Sequence, residues 1–417
     1  MQNKQIFAAL EIADHEIRLM VGEFHETRFN VLRVERTSII GVKDNKIINE
    51  QNIIMAIRKV IASASTALDY KIERVLLAIP SIGVARHNKK INVYLEDGSK
   101  RVRLSHIQTG VNEAILYKPS DALELVNIGC IKYITNGITS RKMPLNEVCD
   151  VLTMSVDLLF ADKDIVYSYA RCIEKSGLEI MDICLDSYAI AEEAAIFEQT
   201  VDKYVILIDL ARQNTTLSLF THGKLVSCEQ MDIGYGNWIE DLKVTYNLPY
   251  DVGFRLVKNS CFNKDELDDS VVYIWSEKGE QKQISENQLY ESVMPSLKEW
   301  ISKLNEVCKP IIESGNVRYL MSGEGMEIQG IETLLNEFNA PAQIYVPQTI
   351  GARDCSLVTC LGLFYAWKSQ LNIRKDDRIC CDVRDLNKAI DNLNPRKASF
   401  EENGFTKKLK SMLLSEK

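Results

Sequence analysis

The same strand–turn–strand layout occurs twice in this chain, at 7–22 (FAALEIADHEIRLMVG) and at 205–220 (VILIDLARQNTTLSLF). Each copy has an apolar strand, an acidic residue near its end, a polar turn and a second apolar strand, so each predicts a β-hairpin. One hairpin heading each half restricts the chain to a duplicated α/β architecture. Where two such hairpins clamp a nucleotide, their turns are rich in Gly, Ser and Thr, because bare backbone N–H groups must approach phosphate oxygens closely. Here Ala13, Asp14, His15 and Glu16 fill the first turn, and Ala211, Arg212, Gln213 and Asn214 fill the second. The layout therefore defines a fold more clearly than it defines phosphate chemistry.

With 417 residues, 46% hydrophobic and 26% charged, the chain is an ordinary globular composition with room for roughly two to four compact units. The run after Asn3 and Lys4 is too short for a signal peptide and reads as a first strand. The longest uncharged apolar stretch, 355–367, falls short of the roughly 20 residues that span a bilayer. Eleven cysteines without a Cys-x-x-Cys pair indicate neither a disulfide framework nor a zinc site, which points to the cytoplasm. His15, His25, His87, His106 and His222 show no spacing that gathers metal ligands, so no metal site is expected. A net charge of −8 argues against nucleic acid as a partner.

Along the first half, 29–39 alternates as a strand, 52–68 carries Ile53, Ile54, Ile57, Val60 and Ile61 at helical spacing, and 74–79 is a buried strand stopped by Pro80. Residues 1–83 thus open a first domain. From 84 to 162, short alternating runs, a helical piece near 105–114 and a closing strand at 150–160 predict an inserted α+β subdomain. Residues 163–200 return to the first domain through a helix at 164–176 ended by Gly177, a strand at 178–185 and a helix reaching Glu198. The second hairpin opens a second domain at 201–345, with a helical subdomain at about 241–311 that includes a polar excursion at 263–283 and a helix at 286–308. A strand at 317–321 leads into Ser322–Gly325 and a helix through Glu337; residues 346–370 then return to the first domain. Residues 371–403 mix charges with little periodicity and read as a flexible linker, and 404–417 is a separate tail.

These loops, in order and spacing, resemble those of the bacterial actin-like division protein family FtsA. The first hairpin matches the family pattern Leu-Asp-Ile-Gly-Thr-Thr-Lys in register and the second matches Asp-Ile-Gly-Ala-Gly-Thr-Thr-Asp. Ser322-Gly-Glu-Gly325 and Ile328-Gln-Gly-Ile331 stand where the family has Thr-Gly-Gly-Gly and Leu-Pro-Gly-Ile, and the segments 169–180 and 350–363 look like further landmarks. The resemblance covers nearly the whole chain. It implies an actin-like duplicated ATPase fold of α/β class, with two domains and the inserted α+β subdomain in the first half. It also implies ATP with Mg²⁺ in the cleft, self-assembly into a polymer, the C-terminal tail of FtsZ as a partner, and other divisome proteins met through the inserted subdomain.

By the same resemblance, the nucleotide-binding candidates are Glu11, Asp209, Thr215, Thr216, Gly234, Ser322, Gly323 and Gly325. Glu11 and Asp209 are either acids facing Mg²⁺–ATP or strand-end residues inherited with the fold; Ser322–Gly325 is either an adenosine contact or a strand-to-helix turn. Several positions depart from the family. In the first loop Glu11, Ala13, Asp14 and Glu16 replace Asp, Gly, Thr and Lys; in the second, Ala211, Gln213 and Asn214 replace Gly, Gly and Thr; Glu324 is added in the third. Two like charges about 4 Å apart repel by about 4 kcal/mol at surface-type dielectric, so Asp14 and Glu16 oppose a phosphate. Efficient ATP hydrolysis is not expected, and no catalytic residue is assigned.

In the tail, Phe405, Leu409, Met412 and Leu413 fall on one helical face, with Lys407, Lys408 and Lys410 beside or opposite it. A helix this short gains stability only from a surface that takes its apolar face, and an anionic leaflet adds about 1 kcal/mol per lysine. The tail is therefore expected to bind a membrane peripherally, on the cytoplasmic face and, by the resemblance, at the division septum. In the family's partner-binding helix two arginines are expected; Glu286 and Ser296 stand in their places and are the partner-binding candidates. The resemblance thus implies a tether between FtsZ filaments and the membrane. An actin-fold ATPase or sugar kinase is the alternative enzyme class, disfavoured by the phosphate loops, and a PilM-like pilus scaffold is a third, disfavoured by the basic tail.

Overall fold

The computed structural model describes residues 5–393 apart from 27, 97, 260–266, 278, 375 and 377. The two hairpins become the centres of two matching sheets. In the first half, β1 (Gln5–Ile12), β2 (Glu16–His25) and β3 (Arg28–Ser38) form an antiparallel meander, followed by the short pair β4 (Val42–Lys43) and β5 (Lys46–Ile47), helix α1 (Glu50–Leu68), and β6 (Arg74–Ile79), which pairs parallel with β1. The inserted unit follows, with β7 (Ala85–Tyr94), α2 (Leu104–Ile115), β8 (Leu123–Thr135), β9 (Ile138–Ser140) and β10 (Val151–Asp162). Its four strands run in the order β7-β10-β8-β9. Helix α3 (Lys163–Lys175), β11 (Glu179–Leu185), α4 (Asp186–Glu193) and α5 (Ile196–Gln199) finish the half, giving a five-stranded sheet ordered β11-β6-β1-β2-β3.

The second half repeats this plan. It contains β12 (Tyr204–Leu210), β13 (Thr215–Thr221), β14 (Lys224–Met231), α6 (Tyr235–Tyr246), α7 (Tyr250–Lys258), the hairpin β15 (Val271–Glu277) and β16 (Glu280–Ser285), α8 (Glu286–Ile312), β17 (Val317–Ser322) and β18 (Ala342–Ile344). The sheet order β14-β13-β12-β17-β18 mirrors the first, with an antiparallel meander on one side of β12 and parallel strands on the other. Helices α9 (Val358–Arg374) and α10 (Val383–Leu393) return to the first half. The fold class read from the duplicated hairpins is the one observed.

Local sequence explains the main elements. Asn49 caps α1 by accepting the Asn52 N–H, and the apolar stripe Ile53, Ile57, Val60 and Ala64 turns into the core. Asp162 caps α3 by accepting from Asp164 and Ile165, and Gly177, at φ +88°, ends that turn. A capping box of Ser285 and Gln288 starts α8, which buries Val293, Leu297, Trp300, Ile301 and Leu304 against α6 and the second sheet.

Three stretches differ from expectation. The polar excursion at 263–283 contains the β15–β16 hairpin, whose Tyr273 and Trp275 stack at 5.8 Å while Val272 and Ile274 on the other face stay exposed. After Gly323 the chain makes two short 3₁₀ turns, at Glu324–Glu327 and Ile331–Glu337, instead of one helix, because Gly330, at φ +83°, interrupts it. The linker expected at 371–403 is packed as far as Ile390: Ile379, Cys380, Cys381, Leu386 and Ala389 are buried, and the Cys380 N–H donates to the Ile6 carbonyl while its own carbonyl accepts from Glu73 and Arg74. Flanking charges hide this short apolar insert in the sequence. The tail residues Phe405, Lys407, Lys408, Leu409, Lys410, Met412 and Leu413 lie outside the described residues.

Candidate functional site

The turns of both hairpins and the loop after β17 converge on a cleft between the two halves. Glu11, Asp14, His15, Arg18, Asp186, Asp209, Arg212, Thr216, Gly323 and Glu324 line it, and they leave a cavity of about 60 Å³. Pockets that hold small molecules span about 300–1,000 Å³, so this cleft, filled by its own side chains, has room for a few waters.

The filling begins with hairpin register. Glu11 on β1 lies directly opposite Arg18 on β2, and Glu16 shares a strand face with Arg18 two residues away. Arg18 is buried in the apolar β2 and gathers three carboxylates: Glu16 at 2.5 Å, Glu324 at 3.0 Å and Glu11 at 3.3 Å. Arg36 on β3 also holds Glu16, at 2.5 Å, and reaches Asp354 at 3.0 Å. His15 bridges Asp14 (Nδ1, 2.6 Å) and Glu324 (Nε2, 2.9 Å). Asp14 and Glu16, placed by the sequence where they would repel a phosphate, are thus each neutralised by a cation or a donor.

The electrostatics follow from burial and partners. Burial alone lowers the affinity of His15 for its proton, but hydrogen bonds to Asp14 and Glu324 outweigh it and raise the imidazole to about 9. For Glu324, burial raises the carboxyl, but the His15 bond and the charges of His15 and Arg18 bring it down to about 2. Burial, with Asp186 and Glu11 nearby, pushes Asp209 up to about 7, and Arg18 offsets only part of this. Burial also raises Glu11, against the pull of Arg18. Asp186, the first residue of α4, is raised by burial although Ser81 and Ser187 donate to it. His15, Glu16 and Glu324 each bring one potential ligand atom within 4.8 Å of the others, a grouping that their sequence spacing concealed. The Arg18 guanidinium is bonded to both carboxylates in the middle of that group, so it reads as an ion-pair network.

Among the nucleotide-binding candidates, Glu11, Asp209, Thr216 and Gly323 line the cavity together. Gly323 is required where it stands: at φ +93°, a Cβ would lie 2.3 Å from the Asp209 carboxylate and 2.6 Å from the Leu210 carbonyl. Thr215, Gly234, Ser322 and Gly325 are not among the lining residues. Thr215 is fully buried, donates to the Ile233 carbonyl at 2.6 Å and accepts from the Trp300 indole at 2.9 Å. Gly234 and Gly325 are packing glycines, with a Cβ at 2.3 Å from the Arg212 carbonyl and 2.4 Å from the Leu210 side chain respectively. The Ser322 hydroxyl is fully buried and has no hydrogen-bond partner among the described residues.

Of the partner-binding candidates, Ser296 is engaged internally, its hydroxyl donating to Asp241 at 2.5 Å and tying α8 to α6. Glu286 is the first residue of α8, with its N–H donating to the Ser270 carbonyl. Sequence reading passed over Arg18, His15 and Asp186. A signal for Arg18 existed: an arginine inside an apolar strand, two residues from one acid and opposite another across a tight turn.

No family model matches the chain. In sequence it is similar to the cell division protein FtsA of Bacillus subtilis, 21% identical over 372 residues that cover 87% of this chain and 83% of that protein. It is also similar to FtsA of Enterococcus hirae, 20% identical over 374 residues, covering 85% and 81%. In structure it is similar to a PilM–PilN type IV pilus biogenesis complex (TM-score 0.58, 14% identity, 88% of this chain and 98% of that one) and to MreB5 of Spiroplasma citri bound to ADP (TM-score 0.53, 10% identity, 88% and 97%). The resemblance carried by the three loops thus extends along most of the chain: in sequence it is similar to the FtsA cell division proteins, and its fold is actin-like.

Proposed function

We propose that this protein is a peripheral membrane adaptor of cell division, which couples FtsZ filaments to the cytoplasmic face of the cell membrane at the septum. The observation that carries the reading is the similarity to FtsA over 87% of the chain, joined to the basic amphipathic pattern of Phe405, Leu409, Met412 and Leu413. Among the described residues no helix is long and apolar enough to cross a membrane, so in this reading attachment falls to the tail. One copy of such a tail binds reversibly; polymerisation of the actin-like body with itself converts many weak contacts into firm attachment. FtsZ binds through its C-terminal tail on the helical subdomain near α8, and other divisome proteins bind through the inserted subdomain.

Nucleotide in this reading is at most a weak ligand and hydrolysis is slow. The cavity of about 60 Å³ and the acids Asp14 and Glu324 within it support that view. Were ATP with Mg²⁺ to enter after side chains move, Glu11 and Asp209 are the carboxylates placed to face the metal. Flotation of the full chain with vesicles containing anionic lipid tests the adaptor: deletion of 405–417 is expected to release the protein. Titration with the FtsZ C-terminal peptide of the same organism tests the partner, and absence of saturable binding removes it. Flotation that is unchanged by the deletion, with no FtsZ binding, overturns the adaptor reading.

A further inference from the structure

The residues that fill the cleft do more than occupy it, because they bond to one another across it. Asp14, in the turn of the first hairpin, accepts the backbone N–H of Gln213, in the turn of the second, at 2.9 Å. Both atoms of the Gln213 side-chain amide also reach the first half: Oε1 accepts from the Asp44 N–H at 3.1 Å and Nε2 donates to the Val42 carbonyl at 3.3 Å. Asn45 donates to Gln230 at 3.1 Å beside them. Deeper in, Glu324 of the second half receives Arg18 at 3.0 Å and His15 at 2.9 Å from the first. These contacts join residues 199 and 306 positions apart in the chain.

We propose that this set is a lock, with Asp14, His15 and Arg18 on one side and Gln213 and Glu324 on the other, that holds the two halves closed by protein contacts alone and makes closure independent of nucleotide. In a nucleotide-gated clamp the turn N–H groups point at phosphate oxygens, and the anion bridges the halves. Here the Gln213 N–H is given to Asp14, and the bridging negative charge is supplied by Glu324. Glu324 is answered by His15 and Arg18 on β2 and its turn; Tyr235 on α6 and Arg212 in the second turn flank the same space. The charges are complementary in pairs, so a phosphate brought to this position must displace Glu324 from its two cationic partners and face Asp14. The lock goes beyond the adaptor reading and stands or falls separately from membrane or FtsZ binding.

Hydrogen exchange of the full chain, read by mass spectrometry on the peptide that contains Gln213, tests it. In nucleotide-free wild-type protein that peptide is expected to be protected, and adding millimolar ATP with Mg²⁺ is expected to leave its rate unchanged. Asp14→Ala and Glu324→Gln are expected to speed its exchange about tenfold or more while peptides from β8 and β10 keep their wild-type rates. A wild-type turn that exchanges as an open loop until ATP with Mg²⁺ slows it overturns the proposal. So do variants that exchange at the wild-type rate. If a variant unfolds, seen as fast exchange in β8 and β10 too, the wild-type comparison with and without nucleotide gives the decision.

Discussion

Removing the proton of His15 is a perturbation whose size can be worked from the structure. The imidazole sits 2.6 Å from Asp14 and 2.9 Å from Glu324, and these contacts raise its proton affinity from the ordinary 6.5 to about 9. The folded chain therefore keeps the proton at pH values where the unfolded chain has released it. Its stabilising effect is fully present below pH 6.5 and is lost as pH climbs through about 9. At about 1.4 kcal/mol per unit, the loss across this window comes to about 3 kcal/mol, a sizeable part of the 5–15 kcal/mol typical of a folded domain. Urea denaturation of wild type and His15→Gln at several pH values between 6 and 9.5 measures it. Wild type is expected to lose about 3 kcal/mol more than the variant over the range. Parallel profiles for the two proteins would refute the reasoning, since other groups titrate equally in both. The same contact has an acid side: Glu324 is lowered from 4.5 to about 2, so its contribution is present above pH 4.5 and is lost as pH falls toward 2.

Thr215→Val is expected to destabilise by about 1–3 kcal/mol in urea, because it leaves the Ile233 carbonyl and the Trp300 indole buried without their common partner; Thr215→Ser, which keeps the hydroxyl, recovers most of the loss. Gly323→Ala combines a φ of +93° with a contact at 2.3 Å, so soluble yield and melting temperature are expected to fall sharply, while Gly83→Ala, with φ +58° and open space around it, shows only the milder backbone cost. Truncation after Arg374 removes the buried Ile379, Cys380, Cys381, Leu386 and Ala389 and is expected to cost on the order of 5 kcal/mol in urea denaturation.

What was legible in the sequence was local. Periodicity of two gave the hairpins and the inserted sheet, and periodicity of three to four gave α1, α3 and α8, whose starts the structure fixes with caps at Asn49, Asp162 and Ser285, hydrogen-bonded to backbone only a few residues away. The packed segment at 379–390 escaped because its outcome depends on distant partners, and the 3₁₀ turns after Gly323 escaped because a lone glycine such as Gly330 does not announce in the sequence the positive φ that breaks a helix. A short apolar insert such as Ile379–Cys380–Cys381 becomes structure only because the carbonyl of Ile6 and the N–H groups of Glu73 and Arg74 wait where β1 and β6 begin.

By itself the sequence determined a duplicated hairpin architecture, an inserted unit in the first half and a basic amphipathic tail, since each is written in the spacing of neighbouring residues. It also marked Asp14, Glu16, Gln213 and Glu324 as departures from a phosphate cradle, but only as isolated substitutions of the wrong charge or size. The tertiary structure decided their meaning. It set Arg18 beside Glu324 from 306 positions away and the Gln213 N–H on Asp14 from 199, turning apparent defects into mutual partners. The physical reason is that a charge's sign is fixed by its residue, while its energy depends on which opposite charge the fold buries next to it.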